Sequence, residues 1–274
     1  MHNKGPQIIS ITLIASLLIS FFTLLVFGLN PPSTSAKSSV LYYPKNNQYI
    51  YEKNADARLP MASVTKIMTA LIAVEECSLD EIITIPAEAT NIEGSSLYLK
   101  ENDRISIGDL IHGVLLQSAN DAATALAIYM SGDIRSFSDK MNCKAAKIGM
   151  TNTSFENPHG LDSENHYTTA KDLSILAAEA IKNDIFVGIC SKIKYTALVN
   201  DSIRVLINHN KLLKKQKGVF GIKTGYTKKS GRCLVSALQL DGEIMICVTL
   251  NAPDDWNDHI NLYKYGVKFI GNEI

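Results

Sequence analysis

The 274-residue sequence is long enough for one large domain or two small ones, and at 46% hydrophobic and 20% charged it has the balance of a globular protein with a sizeable core. Its 27 basic and 27 acidic residues cancel, and no Lys/Arg run is interleaved with aromatics, which excludes nucleic acid as a partner. The six histidines are scattered and no CxxC, HxxxH or HExxH spacing occurs, so neither a metal site nor a cofactor is expected.

In chain order, the first signal is an apolar run from Ile8 to Leu29 behind a short polar start, residues 1-7, that carries Lys4. The run is long enough to cross a hydrocarbon core of ~30 Å as a helix, which favours a transmembrane anchor with a cytoplasmic start. Thr34-Ser35-Ala36 offers small residues for a signal peptidase, so cleavage of a signal segment stays open. Either way the rest of the chain leaves the cytoplasm. Residues 30-38 are rich in Pro, Ser and Thr and read as an extended linker, and residues 39-274 as the folded domain. Five cysteines, Cys77, Cys143, Cys190, Cys233 and Cys247, are an odd count for an exported chain, and buried free thiols are expected instead of a disulfide framework.

Val40 to Tyr43 and Gln48 to Glu52 are β-prone runs around Pro44-Lys45-Asn46-Asn47 and predict a first hairpin. Gly231 to Leu240 and Glu243 to Asn251 flank Asp241-Gly242, a two-residue turn that predicts a second hairpin with Ser236, not Cys233, opposite Cys247. Between them apolar residues recur three and four apart over Ser63 to Cys77, Asp109 to Gln117, Asp121 to Met130, Ser136 to Ile148 and Ala170 to Lys182, and again over 259-270. Ser106 before Asp109 and Thr169 before Asp172 mark helix starts, with Asp172 read as part of a cap. Strands at both ends with helices between them predict an α/β (α+β) domain: one antiparallel sheet built from both chain ends, flanked by helices, with an inserted helical lobe.

Three short motifs carry chemistry. Ser63-Val64-Thr65-Lys66 opens an apolar helix; a Ser and a Lys three apart share a helix face, close enough for the amine to take the hydroxyl proton. By itself the spacing also describes a cap serine with a solvated lysine. Ser118-Ala119-Asn120 sits at a break between two helices and by itself reads equally as a capping pair. Lys223-Thr224-Gly225 stands at the start of an apparent strand, a cation and a hydroxyl suited to a carboxylate beside a glycine that admits close approach; alone it is an ordinary edge-strand lysine. His159 and Asp162 invite a Ser-His-Asp reading, but the Ser-Lys pair already supplies a base, and their loop is expected to shape a cleft.

Taken together, in this order, the three motifs resemble the signature of the penicillin-recognising serine enzymes. Arg58 to Ala70, Glu93-Gly94-Ser95-Ser96, Ser118 to Ala122, Asn157 to Asp162, Thr168 to Asp172 and Lys223 to Thr227 resemble more narrowly the low-molecular-mass D-alanyl-D-alanine carboxypeptidases of peptidase family S11. The resemblance implies a β-lactamase/transpeptidase-like fold and an acyl-enzyme on Ser63. Lys66 is implied as general base, Ser118 as proton relay, and Lys223 and Thr224 as carboxylate holders. It further implies that Asn120 bonds the substrate amide and that the backbone N–H groups of Ser63 and Tyr226, next to Gly225, form the oxyanion hole. Peptidoglycan stem peptides are the implied partners and β-lactams the implied covalent inhibitors, at the outer face of a bacterial membrane.

Many members carry a β-rich domain and an amphipathic tail after the catalytic domain, whereas this sequence ends at Ile274, leaving the amino-terminal run as the expected attachment. A D,D-endopeptidase, a serine β-lactamase and a non-catalytic β-lactam receptor use related groups. Glu156-Asn157-Pro158-His159-Gly160 lacks the spacing of a β-lactamase deacylating loop, and residues 1-7 are too few to fold as a signalling domain.

Overall fold

The structure, a computed structural model, describes residues 30-271; the expected membrane segment at 8-29 and the short start at 1-7 lie outside them. Among the described residues no helix is long and apolar enough to cross a membrane.

The two predicted hairpins form as β1 (Ser38–Tyr43) with β2 (Gln48–Lys53), and β8 (Gly231–Leu240) with β9 (Glu243–Leu250). Together with β7 (Val219–Thr227) they build a five-stranded antiparallel sheet in the order β2-β1-β9-β8-β7, so the two chain ends meet where β1 pairs with β9. Asp241-Gly242 sets the register, and Ser236 faces Cys247 as expected. Alternation along the strands divides the side chains. Val40, Tyr42, Ile246 and Val248 join one core on the side of α1 (Lys66–Glu76) and α5 (Ala170–Ala180). Leu41, Tyr43, Met245 and Cys247 join another beneath α8 (Asp255–Gly271).

Between the ends run the helices α1, α2 (Ile107–His112), α3 (Asn120–Ser131), α4 (Ile134–Ile148), α5, α6 (Asp184–Cys190) and the single turn α7 (Leu212–Lys215). The two predicted caps are present: Ser106 Oγ accepts from Asp109 N and Thr169 Oγ1 from Asp172 N, each at 3.0 Å. The Asp172 carboxylate accepts from Asn152 N and Thr153 Oγ1, which ties it to the loop ahead of α5.

Four expectations are corrected. There are two sheets, not one: β3 (Ile82–Thr84), β4 (Arg104–Ser106), β5 (Lys194–Val199) and β6 (Ser202–Ile207) form a second, four-stranded one beside the helical lobe. Part of the expected linker is fixed in place, since Ser35 donates from N and Oγ to Asp258 and Ala36 is buried. Lys223 lies inside β7 and not at its start. Finally, the five cysteines are free, but only Cys190, Cys233 and Cys247 are buried; Cys77 is half-buried and Cys143 exposed.

Candidate active site

Ser63 occupies a 3-10 turn, Ala62–Thr65, that runs directly into α1. Its neighbour Ala62 has φ +48°, a left-handed conformation that costs a non-glycine residue roughly 1 kcal/mol and marks where the entry is forced. The turn is held by a relay. Glu156 N donates to His166 Nδ1 at 3.0 Å, which leaves the Nε2 proton to donate to Thr65 Oγ1 at 2.8 Å, and Thr65 donates to Ala62 O at 2.8 Å. Burial keeps His166 neutral, with a pKa lowered to about 4.

One helical turn on, Lys66 is fully buried. Its Nζ has three oxygen neighbours: Ser63 Oγ at 3.1 Å, Asn120 Oδ1 at 2.6 Å and His159 O at 2.5 Å. Burial, and after it the charge of Lys223, push its pKa well below the usual lysine value, against a smaller opposing effect of Asp121. A neutral amine has two N–H bonds and one lone pair. Asn120 Oδ1 and His159 O are acceptors only, so they consume both N–H groups and the lone pair is left for the Ser63 O–H. The Asn120 amide cannot reverse its roles, because its Nδ2 donates to Glu93 O.

Ser118 follows a π-helical turn, Gly113–Gln117, and takes φ +61°, which turns it out of the helix path and onto the cleft. Two residues on, Asn120 is buried and both ends of its amide are engaged, its Oδ1 by Lys66 and its Nδ2 by Glu93 O, so it positions Lys66. On the opposite wall β7 passes so close that a Cβ on Gly225 would lie 3.0 Å from Ser63 N, a tight approach that favours glycine there. Lys223 is buried on the Lys66 side, with Nζ donating to Thr224 O at 2.8 Å and a pKa lowered by burial to about 7. The resulting cleft, of about 330 Å³, is bordered by Ser63, Ser95, Ser118, Thr224, Gly225 and Tyr226, and at its far end by Arg232, Asp255 and Trp256.

His159 and Asp162 do not form a triad with Ser63. The His159 ring accepts from Leu161 N and is kept neutral by burial, with a pKa near 3, while Asp162 accepts from Thr227 Oγ1 at 3.0 Å. Their loop clasps the site: Lys66 bonds the His159 carbonyl and Thr69 the Pro158 carbonyl, and a Cβ on Gly160 (φ +88°) would meet Ala62 O at 2.0 Å.

Sequence reasoning missed Asp121, a buried carboxylate that accepts from Leu97 N, Leu99 N, Ala122 N and Ser96 Oγ and thereby pins the cleft wall carrying Ser95. Its place directly after Asn120 was the only available signal. Among the described residues no group of three or more His, Cys, Asp or Glu side chains is placed to hold a metal ion.

A buried amine aimed at a serine hydroxyl, at the foot of a cleft walled by a sheet edge, defines a serine acyl-transfer site of the Ser-Lys type. Comparison with known proteins narrows the class. The profile of the D-alanyl-D-alanine carboxypeptidases, peptidase family S11, matches residues 26-254, and the chain belongs to that family. It is 34% identical over 229 residues to the D-alanyl-D-alanine carboxypeptidase DacF of Bacillus subtilis, covering 79% of this chain and 57% of that one. To a D-alanyl-D-alanine carboxypeptidase of a Streptomyces species it is 32% identical, over 87% of this chain and 91% of the other. Among solved structures, the Streptomyces K15 DD-transpeptidase superposes with a TM-score of 0.82 at 29% identity, covering 86% of this chain and 98% of that one. A penicillin-binding protein of Listeria monocytogenes with ampicillin bound superposes with a TM-score of 0.78 at 31% identity, over 86% and 99%. The chain spans about 60% of the length of the first curated relatives it matches, 57%, 62% and 60%.

Proposed function

We propose that this protein is a serine-type D-alanyl-D-alanine carboxypeptidase that removes the terminal D-alanine of peptidoglycan stem peptides through an acyl-enzyme on Ser63. The observation that carries the reading is the Lys66 amine, with both N–H groups committed to Asn120 and His159 and its lone pair left for Ser63. Lys66 takes the Ser63 proton as Oγ attacks the penultimate carbonyl. The backbone N–H groups of Ser63 and Tyr226, on converging elements, stabilise the oxyanion. Ser118, opening onto the same cleft, passes the proton to the leaving amine. Water then hydrolyses the ester with the same groups in reverse. Thr224 meets the terminal carboxylate from β7, and the burial of Lys66, with the Lys223 charge adding to it, keeps that amine neutral.

β-Lactams acylate the same serine on this reading, in keeping with the ampicillin held by the Listeria relative. The apolar run at 8-29 supports a location at the outer face of the membrane, through an anchor or after export with cleavage.

The test is D-alanine release from a pentapeptide ending in D-Ala-D-Ala, together with labelling by a fluorescent penicillin, for the full chain and for Ser63→Ala. Release and labelling by the unmodified chain, both lost in the variant, support the proposal. Labelling without release points to an endopeptidase or a receptor, and absence of labelling overturns the acyl-enzyme.

A further inference from the structure

The Glu93 to Ser96 motif leads into a cleft wall that the acyl chemistry leaves without a task. Leu97 and Leu99 are buried, and their N–H groups both donate to the Asp121 carboxylate at 3.0 Å, while Tyr98 N donates to Ser96 Oγ at 2.8 Å. Three consecutive N–H groups are thus tied down. Tyr98 stands at the apex with φ +57°, a left-handed conformation unusual for a bulky side chain. Its side chain is 80% exposed, the largest exposure of any bulky apolar or aromatic side chain among the described residues. A ring held out in this way adds nothing to the core; the fixed backbone displays it. It borders a groove of about 460 Å³ whose other wall is β6, at Arg204, Val205 and Leu206, and whose inner end is Ser95 and His209. The same two residues border the reactive cleft, so groove and cleft are continuous. Arg204 Nη1 donates to Leu97 O and ties the two walls together. Among the described residues β6 pairs with β5 and with no other strand, which leaves its outer backbone edge open to an extended chain.

Only one side of the substrate is long enough to enter this groove. The leaving D-alanine ends one residue past the scissile bond, whereas the stem continues upstream of it. A second way out of the cleft passes Lys211 into a groove lined by Ile193, Lys214 and Lys215. That groove offers flexible cationic side chains and no aromatic ring, so a peptide lying in it would have to order its own walls. A rigidly displayed tyrosine binds with little ordering cost. We propose that the groove between Tyr98 and β6 is a subsite for the stem peptide upstream of the penultimate D-alanine, with Tyr98 the specificity-determining platform on which that segment rests. The cleft then reads the last two residues of the substrate and the groove reads what they are attached to.

The inference rests on the carboxypeptidase reading and deepens it. Its test uses the full chain and three ligands: acetyl-D-Ala-D-Ala and benzylpenicillin, which are confined to the cleft, and a stem pentapeptide ending in D-Ala-D-Ala. D-alanine release is followed for the peptides and acylation of Ser63 for the penicillin. The unmodified chain prefers the pentapeptide to the acetyl dipeptide; release from the pentapeptide alone also supports the subsite and makes penicillin acylation the reference. Tyr98→Asn, whose side chain tolerates φ +57°, is expected to lower pentapeptide kcat/KM by about tenfold relative to both short ligands, as for loss of one aromatic contact. Tyr98→Gly deletes the ring by a second route and answers the question if the first variant does not fold. Tyr98→Phe keeps the ring and should keep the pentapeptide preference. An equal loss on all three ligands, or an unchanged preference in both ring-deleting variants, overturns the assignment. So does a pentapeptide loss that follows Lys211→Gln and not Tyr98→Asn, which would put the stem in the other groove. Release of D-alanine from neither peptide by the unmodified chain defeats the carboxypeptidase reading, and this inference with it.

Discussion

Two buried polar clusters lie on opposite faces of the five-stranded sheet, and each contains a serine hydrogen-bonded to a basic side chain. On the α8 side, Ser236 Oγ is 2.7 Å from both His259 Nδ1 and the Tyr263 hydroxyl, and His259 Nε2 is 3.0 Å from Thr249 Oγ1. Both ring nitrogens of His259 are occupied and the cluster is shut off from solvent, with His259 and Ser236 at 0% exposure. On the α1 side Lys66 is equally buried, yet its third contact is Ser63, which borders a cleft. A Ser-His contact looks the more reactive of the two on paper. Access and one uncommitted lone pair separate a reactive serine from a structural one, and the kind of base beside it does not.

Replacing Lys66 by Arg tests this contrast most severely. A guanidinium cannot be neutral at working pH, so D-alanine release and penicillin labelling are expected to fall by about a thousandfold or more. His259→Phe should do the converse: two hydroxyls lose their partner, stability falls by about 2 to 3 kcal/mol in urea unfolding, and kcat stays within about twofold. A large loss of kcat with retained stability would break the contrast.

Titration sharpens it. Lys223→Gln removes the cation that lowers Lys66, so the pH at which kcat/KM rises is expected to move upward, read from a pH-rate profile. For stability the sign follows from proton counts. Buried Lys223 has a pKa near 7 against an ordinary 10.5, so the unfolded chain binds the extra proton between those values and stability falls as pH drops from 10.5 towards 7. His259, near 3 against 6.5, is neutral when folded, and its share is lost as pH falls from 6.5 towards 3. Each group contributes a slope of at most about 1.4 kcal/mol per pH unit. Urea unfolding from pH 4 to 9 should show the acid slope shallower in His259→Phe. The smallest effect is expected for Ser236→Ala, about 1 kcal/mol with no change in acylation rate.

The parts of this fold written in local sequence were legible. Asp241-Gly242 determines the last hairpin and its register, and the Ser106 and Thr169 caps start α2 and α5 where expected. The second sheet was not legible, because β3 and β4 have three residues each, too few for an alternation to register, and β4 joins the β5-β6 pair through a partner far along the chain. In the site, the serine, the lysine and the Lys223 strand followed from motif spacing. Asn120 was named, but its task depends on Lys66 and Glu93, which only the folded chain brings near. Arg232, Asp255 and Trp256 carry no local signal at all. They become a group only because β8 and the start of α8 converge at one end of the cleft.

The strand order has a further consequence, for time instead of geometry. β1, at 38-43, is sandwiched between β2 and β9, and β9 is made some two hundred residues after it, at 243-250. β7, whose Gly225 closes against Ser63 N, also comes late and is held to the sheet only through β8. During vectorial synthesis the Ser63 helix therefore emerges long before the wall that makes it reactive, and the sheet cannot close until the last hairpin is complete. Pairings of such sequence separation are slow steps in folding. The proposed nucleophile is thus made long before the cleft wall beside it, and the site is complete only when the two ends of the chain meet.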